Sequence, residues 1–310
     1  MNILDLKESG DVSYDRMMKF QEAATTGEFP NLLRADYKDI LLSAYGKVDQ
    51  PLFGLADVVP SANETETYRG LTALQDVTTE VPQGAPYGEI LLSEKDTVTI
   101  TNKKYGGLIA VTDEMIRFNK LSEMNRLGSM LGESLARNVE IKLAAAIENT
   151  SNTTAATGAA LTLNRANLEV VLAQFKSQTA TAADGSTVKL GLIPDTLLVP
   201  PDLEFTAKRL MLSTLIPGAV DNDPNVIKGM LNIVVSHDLS STSAWYVLKS
   251  KWANGLKFQK VIGPPPELSV QDMNATQSDG VFKYDKISYK ARMLFGVGVI
   301  DPVWCISSAG

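Results

Sequence analysis

The chain has few of the residues on which enzyme and metal chemistry most often depend. Among its 310 residues there is one cysteine, Cys305, and one histidine, His237. A single cysteine excludes an intrachain disulfide and a cysteine-based zinc site, and a single histidine excludes a histidine-rich metal site. A hydrolase that uses histidine as its base would depend wholly on His237.

Long apolar runs and blocks of like charge are also missing. No stretch approaches the ~20 apolar residues that a membrane-spanning helix needs, and residues 1–15 lack the basic and apolar regions of a secretion signal. The formal net charge is −7 and no basic block occurs, so the surface is not suited to grip nucleic acid. We therefore expect a protein that is made and used in a cytoplasm and that binds no membrane.

The residues around His237 are the best candidates for a catalytic site, but their arrangement does not suit catalysis. Ser236 and Asp238 place a hydroxyl and a carboxylate on either side of His237. Adjacent residues of a strand point to opposite faces, however, and cannot form a proton relay. A surface histidine at the end of a strand is the more common arrangement, so we predict no catalytic residues and no enzymatic activity.

Motifs for cations and phosphates are incomplete. Residues 221–225 start like a calcium-binding loop, but Val226 stands where that loop needs glycine and Asn232 where it needs glutamate. Two glycine pairs lack the lysine that follows in a phosphate-binding loop. They are Gly106 with Gly107 and Gly296 with Gly298. We predict no metal site and no cofactor.

The most regular pattern falls in residues 111–150. Apolar residues recur at steps of three and four, which is typical of a helix with one apolar face. Thr112 or Asp113 can cap its start, and at ~1.5 Å per residue it would be a strut on the order of 50 Å long. Gly128 and Gly132 indicate an element crossing close by or a bend, the alternative being a plain core helix that tolerates both. The stripe comprises Met124, Leu127, Leu131, Leu135, Val139, Leu143 and Ala146.

Residues 1–67 predict an extended arm with little core of its own, because their apolar clusters are scattered between turn-forming residues. Short amphipathic helices are predicted at residues 14–25 and 31–45. A small helical subdomain is the alternative.

Residues 68–110 predict a projecting two-stranded ribbon. Strands are expected at residues 77–81 and 97–101, and in the second Val98 and Ile100 face one way and the threonines the other. An isolated ribbon is barely stable in water, so it lies either on a neighbouring molecule or, as an edge hairpin, on its own domain. Three lysines of the ribbon could contact a neighbouring subunit, namely Lys95, Lys103 and Lys104. The simpler interpretation is that they form a solvated face.

The rest of the chain predicts an α+β order of elements. Helices are expected at residues 161–179 and 202–212, and residues 263–266, Gly-Pro-Pro-Pro, predict a hard turn. The expected strands are 196–199, 229–236, 244–248 and 282–295. In the last of these, Ile287, Tyr289, Ala291, Met293 and Phe295 alternate with polar residues. Strands and helices do not alternate regularly, so a doubly wound nucleotide fold is not expected.

The order of these parts resembles the major capsid protein of tailed phages, which has the HK97-type fold. More narrowly, it is similar to the Mu-like prophage major head subunit (gpT) group. The arm, the projecting loop, the strut, the mixed α/β region and the returning strand come in the same order. The segments that carry the resemblance are residues 61–68 (SANETETY), 100–111 (ITNKKYGGLIAV), 196–201 (TLLVPP) and 289–302.

The resemblance implies an assignment of parts to that fold. It places an N-terminal arm at residues 1–67, an extended loop at 68–104, a peripheral domain with the spine helix at 105–195, completed by 282–306, and an axial domain at 196–281. Loops near residues 217–225 and 271–280 would lie at five- and six-fold axes.

The resemblance also implies a function and partners. The chain would be a structural head protein whose hexamers and pentamers form an icosahedral shell in the virion, assembled in the host cytoplasm around double-stranded DNA that it does not read. A portal, a separate scaffold and a maturation protease would be its partners. An encapsulin-like compartment with an enzyme cargo is the alternative, and a soluble enzyme of unrecognised type is the more distant one.

Overall fold

The structure, a computed structural model, describes residues 29–71, 80–87, 94–112, 114, 115, 118, 120–149, 154, 155, 161–216, 224–270 and 286–308. The helices are α1 (Phe29–Lys47), α2 (Leu121–Glu148), α3 (Arg165–Lys176) and α4 (Glu204–Leu212). The strands are β1 (Asp57–Pro60), β2 (Thr65–Leu71), β3 (Glu94–Thr101), β4 (Lys103–Thr112), β5 (Thr154–Ala155), β6 (Thr179–Thr181), β7 (Thr187–Lys189), β8 (Thr196–Val199), β9 (Asn232–Val235), β10 (Trp245–Leu248), β11 (Leu256–Val270), β12 (Lys286–Val299) and β13 (Cys305–Ser308). The α+β prediction is confirmed, whereas the helix predicted at residues 14–25 lies outside the described residues.

The predicted strut is helix α2, but it begins at Leu121 and not at residue 111. Val111 and Thr112 end strand β4, whose exposure alternates with the two-residue period of a strand. The Thr112 hydroxyl accepts a hydrogen bond from the backbone N–H of Met115 at 3.4 Å, so it caps a short turn before the helix. The 28 residues of α2 make it about 42 Å long.

The buried face of α2 is wider than the predicted stripe. Leu135, Val139 and Leu143 are buried as expected, while Leu127, Leu131 and Ala146 are only half-buried. The side chain of Met124 lies outside the described residues. The residues that the stripe omitted but that are also buried are Ala136, Glu140, Ala144 and Ile147.

The chain forms two compact units, and helix α1 packs on α2 within the first, which comprises Met1–Asp49, Lys104–Arg137 and Ile262–Met293. A Cβ atom placed on Gly132 would overlap the carbonyl oxygen of Leu41 and lie 3.2 Å from both the Cβ of Ala44 and the backbone nitrogen of Tyr45. The prediction that an element crosses α2 closely at Gly132 is confirmed.

Strand β11 corrects the turn predicted at residues 263–266, which continue the strand. The four-stranded sheet has the order β1-β11-β12-β4. Strand β1 pairs with β11 only as far as Lys260, so among the described residues the later part of β11 has one neighbour. Proline is tolerated at such an edge because no ladder hydrogen bond is lost there.

Strand β12 confirms the predicted one-faced strand from Lys286 onward. Tyr289, Ala291, Met293 and Phe295 are all buried, and the intervening residues are exposed or half-buried. The side chain of Ile287 lies outside the described residues.

The second unit comprises Gln50–Lys103, Asn138–Val261 and Leu294–Gly310. Its five-stranded sheet has the order β5-β13-β10-β8-β9. Helix α3 begins after Asn164, whose side chain accepts the N–H of Asn167 at 2.8 Å. The buried side chains of α3 and α4 pack on this sheet in one apolar core around Trp245. The predicted helical spacing of α3 is confirmed by the burial of Leu168, Val171, Leu172 and Phe175.

Asp195 links the start of strand β8 to the residues that follow strand β10. One carboxylate oxygen accepts the backbone N–H of Ser250 and the Thr196 hydroxyl, each at 2.8 Å, and the other accepts the Ser250 hydroxyl at 3.0 Å. The Lys249 ammonium lies 3.2 Å away. Burial alone would raise the pKa of Asp195, but these donors outweigh it and hold the pKa below its usual value.

We predict that Gly132→Ala destabilises the chain by about 1–3 kcal/mol, because the new methyl group overlaps helix α1. The matched control is Gly46→Ala in α1, where the new Cβ would meet nothing within 4 Å. Alanine is the better helix former, so the control is expected to be neutral or stabilising by up to about 1 kcal/mol. Urea denaturation measures both, and equal effects of the two changes would contradict the close crossing.

We predict that Asp195→Asn lowers stability at neutral pH and that the difference from the native chain shrinks on acidification. A carboxylate with a lowered pKa stabilises the fold above its unfolded-state pKa, and this contribution is lost as pH falls through the folded-state pKa. Urea midpoints between about pH 7 and pH 3 test this. Asp202→Asn, at an exposed position, is the control, and a pH-independent difference for Asp195→Asn would refute the prediction.

Candidate assembly surface

Ser236, His237 and Asp238 follow strand β9 in the chain and do not lie within it. Ser236 is 1% exposed, whereas His237 is exposed. The Ser236 hydroxyl accepts the backbone N–H of Asp238 at 3.3 Å. The Ser236 hydroxyl therefore helps to form the turn that follows strand β9.

No group of three or more histidine, cysteine, aspartate or glutamate residues in the described part of the chain could hold a metal ion. Residues 221–223 of the rejected calcium loop lie outside that part. Asn225 has a structural use, since its side-chain amide donates to the carbonyl oxygens of Leu210 at 2.6 Å and Ser213 at 3.1 Å. Within the same described ranges, no helix is long and apolar enough to cross a membrane.

The glycine pairs serve close packing. A Cβ on Gly106 would lie 2.6 Å from the carbonyl oxygen of Ala291, and a Cβ on Gly298 would lie 2.7 Å from the Ile100 side chain. The other member of each pair is equally crowded. Neighbouring strands crowd Gly106, Gly296 and Gly298, and the Leu131 side chain of helix α2 crowds Gly107. Close packing accounts for these glycines, and no phosphate-binding role is required to explain them.

The ribbon exists, but its first strand is β2 and not residues 77–81. Strand β2 pairs antiparallel with β3, with Tyr68 opposite Val98. Glu80 and Val81 are not in a strand, and residues 77–79 lie outside the described residues. The predicted alternation in β3 is confirmed, since Ile100 is 3% exposed and the threonines beside it are exposed.

Asn102 fixes the root of the ribbon. Its backbone N–H donates to the carbonyl oxygen of Glu64 at 2.8 Å. Its side-chain amide donates to the Ser61 hydroxyl at 2.9 Å and to the Asn63 carbonyl oxygen at 2.7 Å. Lys103 and Lys104, which were predicted on the ribbon, follow this root and are exposed at the start of β4. The side chain of Lys95 lies outside the described residues.

Glu140 joins helix α2 to the segment that precedes β1. It is 2% exposed, and its two carboxylate oxygens accept the backbone N–H groups of Leu52 and Phe53, each at 2.9 Å. Two charge-assisted hydrogen bonds compensate a carboxylate that would otherwise be costly to bury. The apolar periodicity of α2 did not reveal this role; the only signal was an acidic residue at a position of the buried face.

Exposed apolar side chains gather on and beyond helix α4. Phe205 and Leu212 lie two helical turns apart on one side of α4 and are 74% and 66% exposed. The segment after the helix is fastened to it, since Gly229 donates its N–H to the Met211 carbonyl oxygen at 3.0 Å. We name as the α4 patch the residues Phe205, Leu212, Leu215, Val226 and Met230, which are 42–74% exposed. Large contiguous apolar patches on protein surfaces mark interaction sites.

Comparison with known proteins identifies the class. A family model described as "Phage capsid protein" matches residues 95–307. A virus-like particle from Pyrococcus furiosus is similar in structure, with 12% identity, a TM-score of 0.52 and coverage of 88% of this chain and 98% of that chain. The capsid of Cyanophage P-SCSP1u is similar at 13% identity and a TM-score of 0.54, with coverage of 82% and 86%. The capsid of an empty GTA particle is similar at 13% identity and a TM-score of 0.54, and the match covers 83% of this chain and 88% of that chain.

These structural likenesses show the fold of a capsid subunit, in agreement with the predicted HK97-type fold. The family match spans more than half of the residues, and the chain belongs to the phage capsid protein family. It is a structural major capsid protein. A search of curated proteins finds no significant match.

We predict that Glu140→Gln destabilises the chain by about 2 kcal/mol. The amide keeps the shape of the carboxylate but turns a donor toward one of two buried N–H groups, which loses its partner. Glu133→Gln, at a half-buried position of the same helix, is the matched control and is expected to change stability by less than about 0.5 kcal/mol. Urea denaturation is the measurement. Equal midpoints for the two variants would contradict the stabilising role of the two hydrogen bonds to Glu140.

Proposed function

We propose that copies of this chain assemble into a closed icosahedral shell that encloses double-stranded DNA. The observation that carries the proposal is the phage capsid family match over residues 95–307. The net charge of −7 supports the DNA content, because an acidic wall lets packaged DNA slide without sticking.

The α4 patch supports self-assembly. A contact between one patch and a different surface of the next copy is heterologous, and such contacts close into rings and shells when a rotation symmetry applies. Burying a large apolar side chain such as Phe205 contributes about 1.5–3 kcal/mol. Repeated around a ring, that contribution favours the assembled state.

The assignment of parts is retained as a proposal. Residues 1–67 form the N-terminal arm, 68–104 the extended loop over a neighbour, 105–195 with 282–306 the peripheral domain and 196–281 the axial domain. The α4 patch falls inside the last of these ranges, which supports contacts between copies around the five- and six-fold axes. The loops at residues 217–225 and 271–280 belong to the same proposed region and lie mostly outside the described residues.

The finer identity and the partners are part of the same proposal. The chain is a head subunit close to the Mu-like gpT group, it works with a portal, a separate scaffold and a maturation protease, and it performs no catalysis. Assembly takes place in the host cytoplasm and the product is the virion capsid. An encapsulin-like compartment would share the fold and hold protein cargo, so the content of the particles separates the two.

We predict that Phe205→Glu prevents assembly of a chain that remains folded, because it places a charge in an apolar contact between copies. The matched control is Val170→Glu, which changes an apolar residue of α3 that is 49% exposed in the same unit. Sucrose-gradient sedimentation and negative-stain microscopy measure particle yield, and circular dichroism checks the fold. Full particle yield from Phe205→Glu would rule out the α4 patch as a contact between copies.

A further inference from the structure

Strand β4 offers an open edge for another strand. Among the described strands it ends the four-stranded sheet, with β12 as its one neighbour. It runs for 10 residues from Lys103 to Thr112 without a proline. In the part of the chain that the structure describes, β4 is hydrogen-bonded to the single strand β12. A long open edge presents a row of N–H and C=O groups that readily pairs with an extended chain.

The exposed face beside this edge contains a groove. Its volume is about 300 Å³, and β4 lines it together with β12. Between Lys104 and Leu108 the groove is lined by Gly106 and Gly107, which have no side chains. Leu108 is 63% exposed, so the groove has an apolar contact available at one end.

The groove is positively charged. Lys104 and Lys290 line it, both are exposed, and neither has an acidic partner in the described part of the chain. Arg292 also lines it and forms an ion pair with Glu267, whose carboxylate oxygen lies 2.9 Å from the Arg292 Nε. On a chain with a net charge of −7, this is a local surface of opposite sign that favours an acidic partner.

We infer that the β4 edge binds an extended acidic segment of a separate protein, which adds to the sheet as a strand. Backbone hydrogen bonds to β4 supply binding, and carboxylates of the segment lie over Lys104 and Lys290. An apolar side chain of the segment packs on Leu108. The inference concerns a partner other than a copy of the chain and stands apart from the contacts proposed for the shell.

The described strand edges of a second copy do not match the charge of the groove, which favours a separate protein as the partner. Strands β5 and β9, at the two ends of the five-stranded sheet, contain no acidic residue. The acid of β1, Asp57, is already paired with Lys257 at 2.6 Å. Strands β2 and β3 of the ribbon each mix acidic with basic residues. No described strand of a second copy therefore presents the unbroken acidic face that the groove matches.

The test uses the full chain and a fluorescein-labelled decapeptide of alternating glutamate and valine, with binding measured by fluorescence anisotropy at low salt. We expect the double variant Lys104→Glu/Lys290→Glu to weaken binding at least about tenfold, because like charges then face each other. The control variant Lys176→Glu/Lys189→Glu reverses two exposed lysines elsewhere and is expected to bind as the native chain does. A peptide N-methylated along one edge, which cannot complete the strand pairing, is also expected to bind at least about tenfold more weakly.

Three results would overturn the inference. Equal binding of the native chain and the groove variant would show that the peptide binds elsewhere. Equal binding of the methylated and unmethylated peptides would show charge attraction without strand addition. Loss of particle formation by the groove variant, in the absence of any other protein, would show that a second copy occupies the β4 edge.

Discussion

The buried face of helix α2 is the feature on which the described structure most depends. The helix contributes residues to both compact units. In the first, Gly132 lets α1 approach so closely that a single methyl group would not fit. In the second, Glu140 holds the backbone of Leu52 and Phe53 through two hydrogen bonds. Apolar contacts alone would not fix where each neighbouring segment lies along α2. The close approach at Gly132 fixes the position of α1, and the hydrogen bonds of Glu140 fix the position of Leu52 and Phe53.

The chain leaves the apolar side chains of the α4 patch exposed. The α4 patch lies beside a core in which α3 and α4 are fully packed, so its exposure is not a consequence of loose folding. Polar contacts at Asn102 hold the ribbon root in place. A packed core with exposed apolar side chains beside it fits a structural protein of a shell.

Periodicity in the sequence predicts the helices and strands that bury one face. It does not predict the features of the fold that depend on single residues. The spacing of Leu168, Val171 and Phe175 gave α3, and the alternation in β12 gave a long strand. The predicted start of α2 at residue 111 is wrong. Val111 and Thr112 suit a strand as well as a helix, and pairing with β12 stabilises the strand. The prolines at residues 264–266 predict a turn, because the sequence does not reveal that the later part of β11 has a single neighbour among the described strands. Glu140 could not be found by pattern, since its partners are backbone groups distant in sequence.

The most direct test of the account is cryo-electron microscopy of particles purified from cells that produce the chain with its neighbouring genes, together with assay of nuclease-protected nucleic acid. The account predicts closed icosahedral shells built from this fold and containing double-stranded DNA. Shells that hold protein cargo and no DNA would contradict the proposed content. A uniform compact monomer under every condition, scaffold included, would contradict the central claim that the chain is a shell subunit.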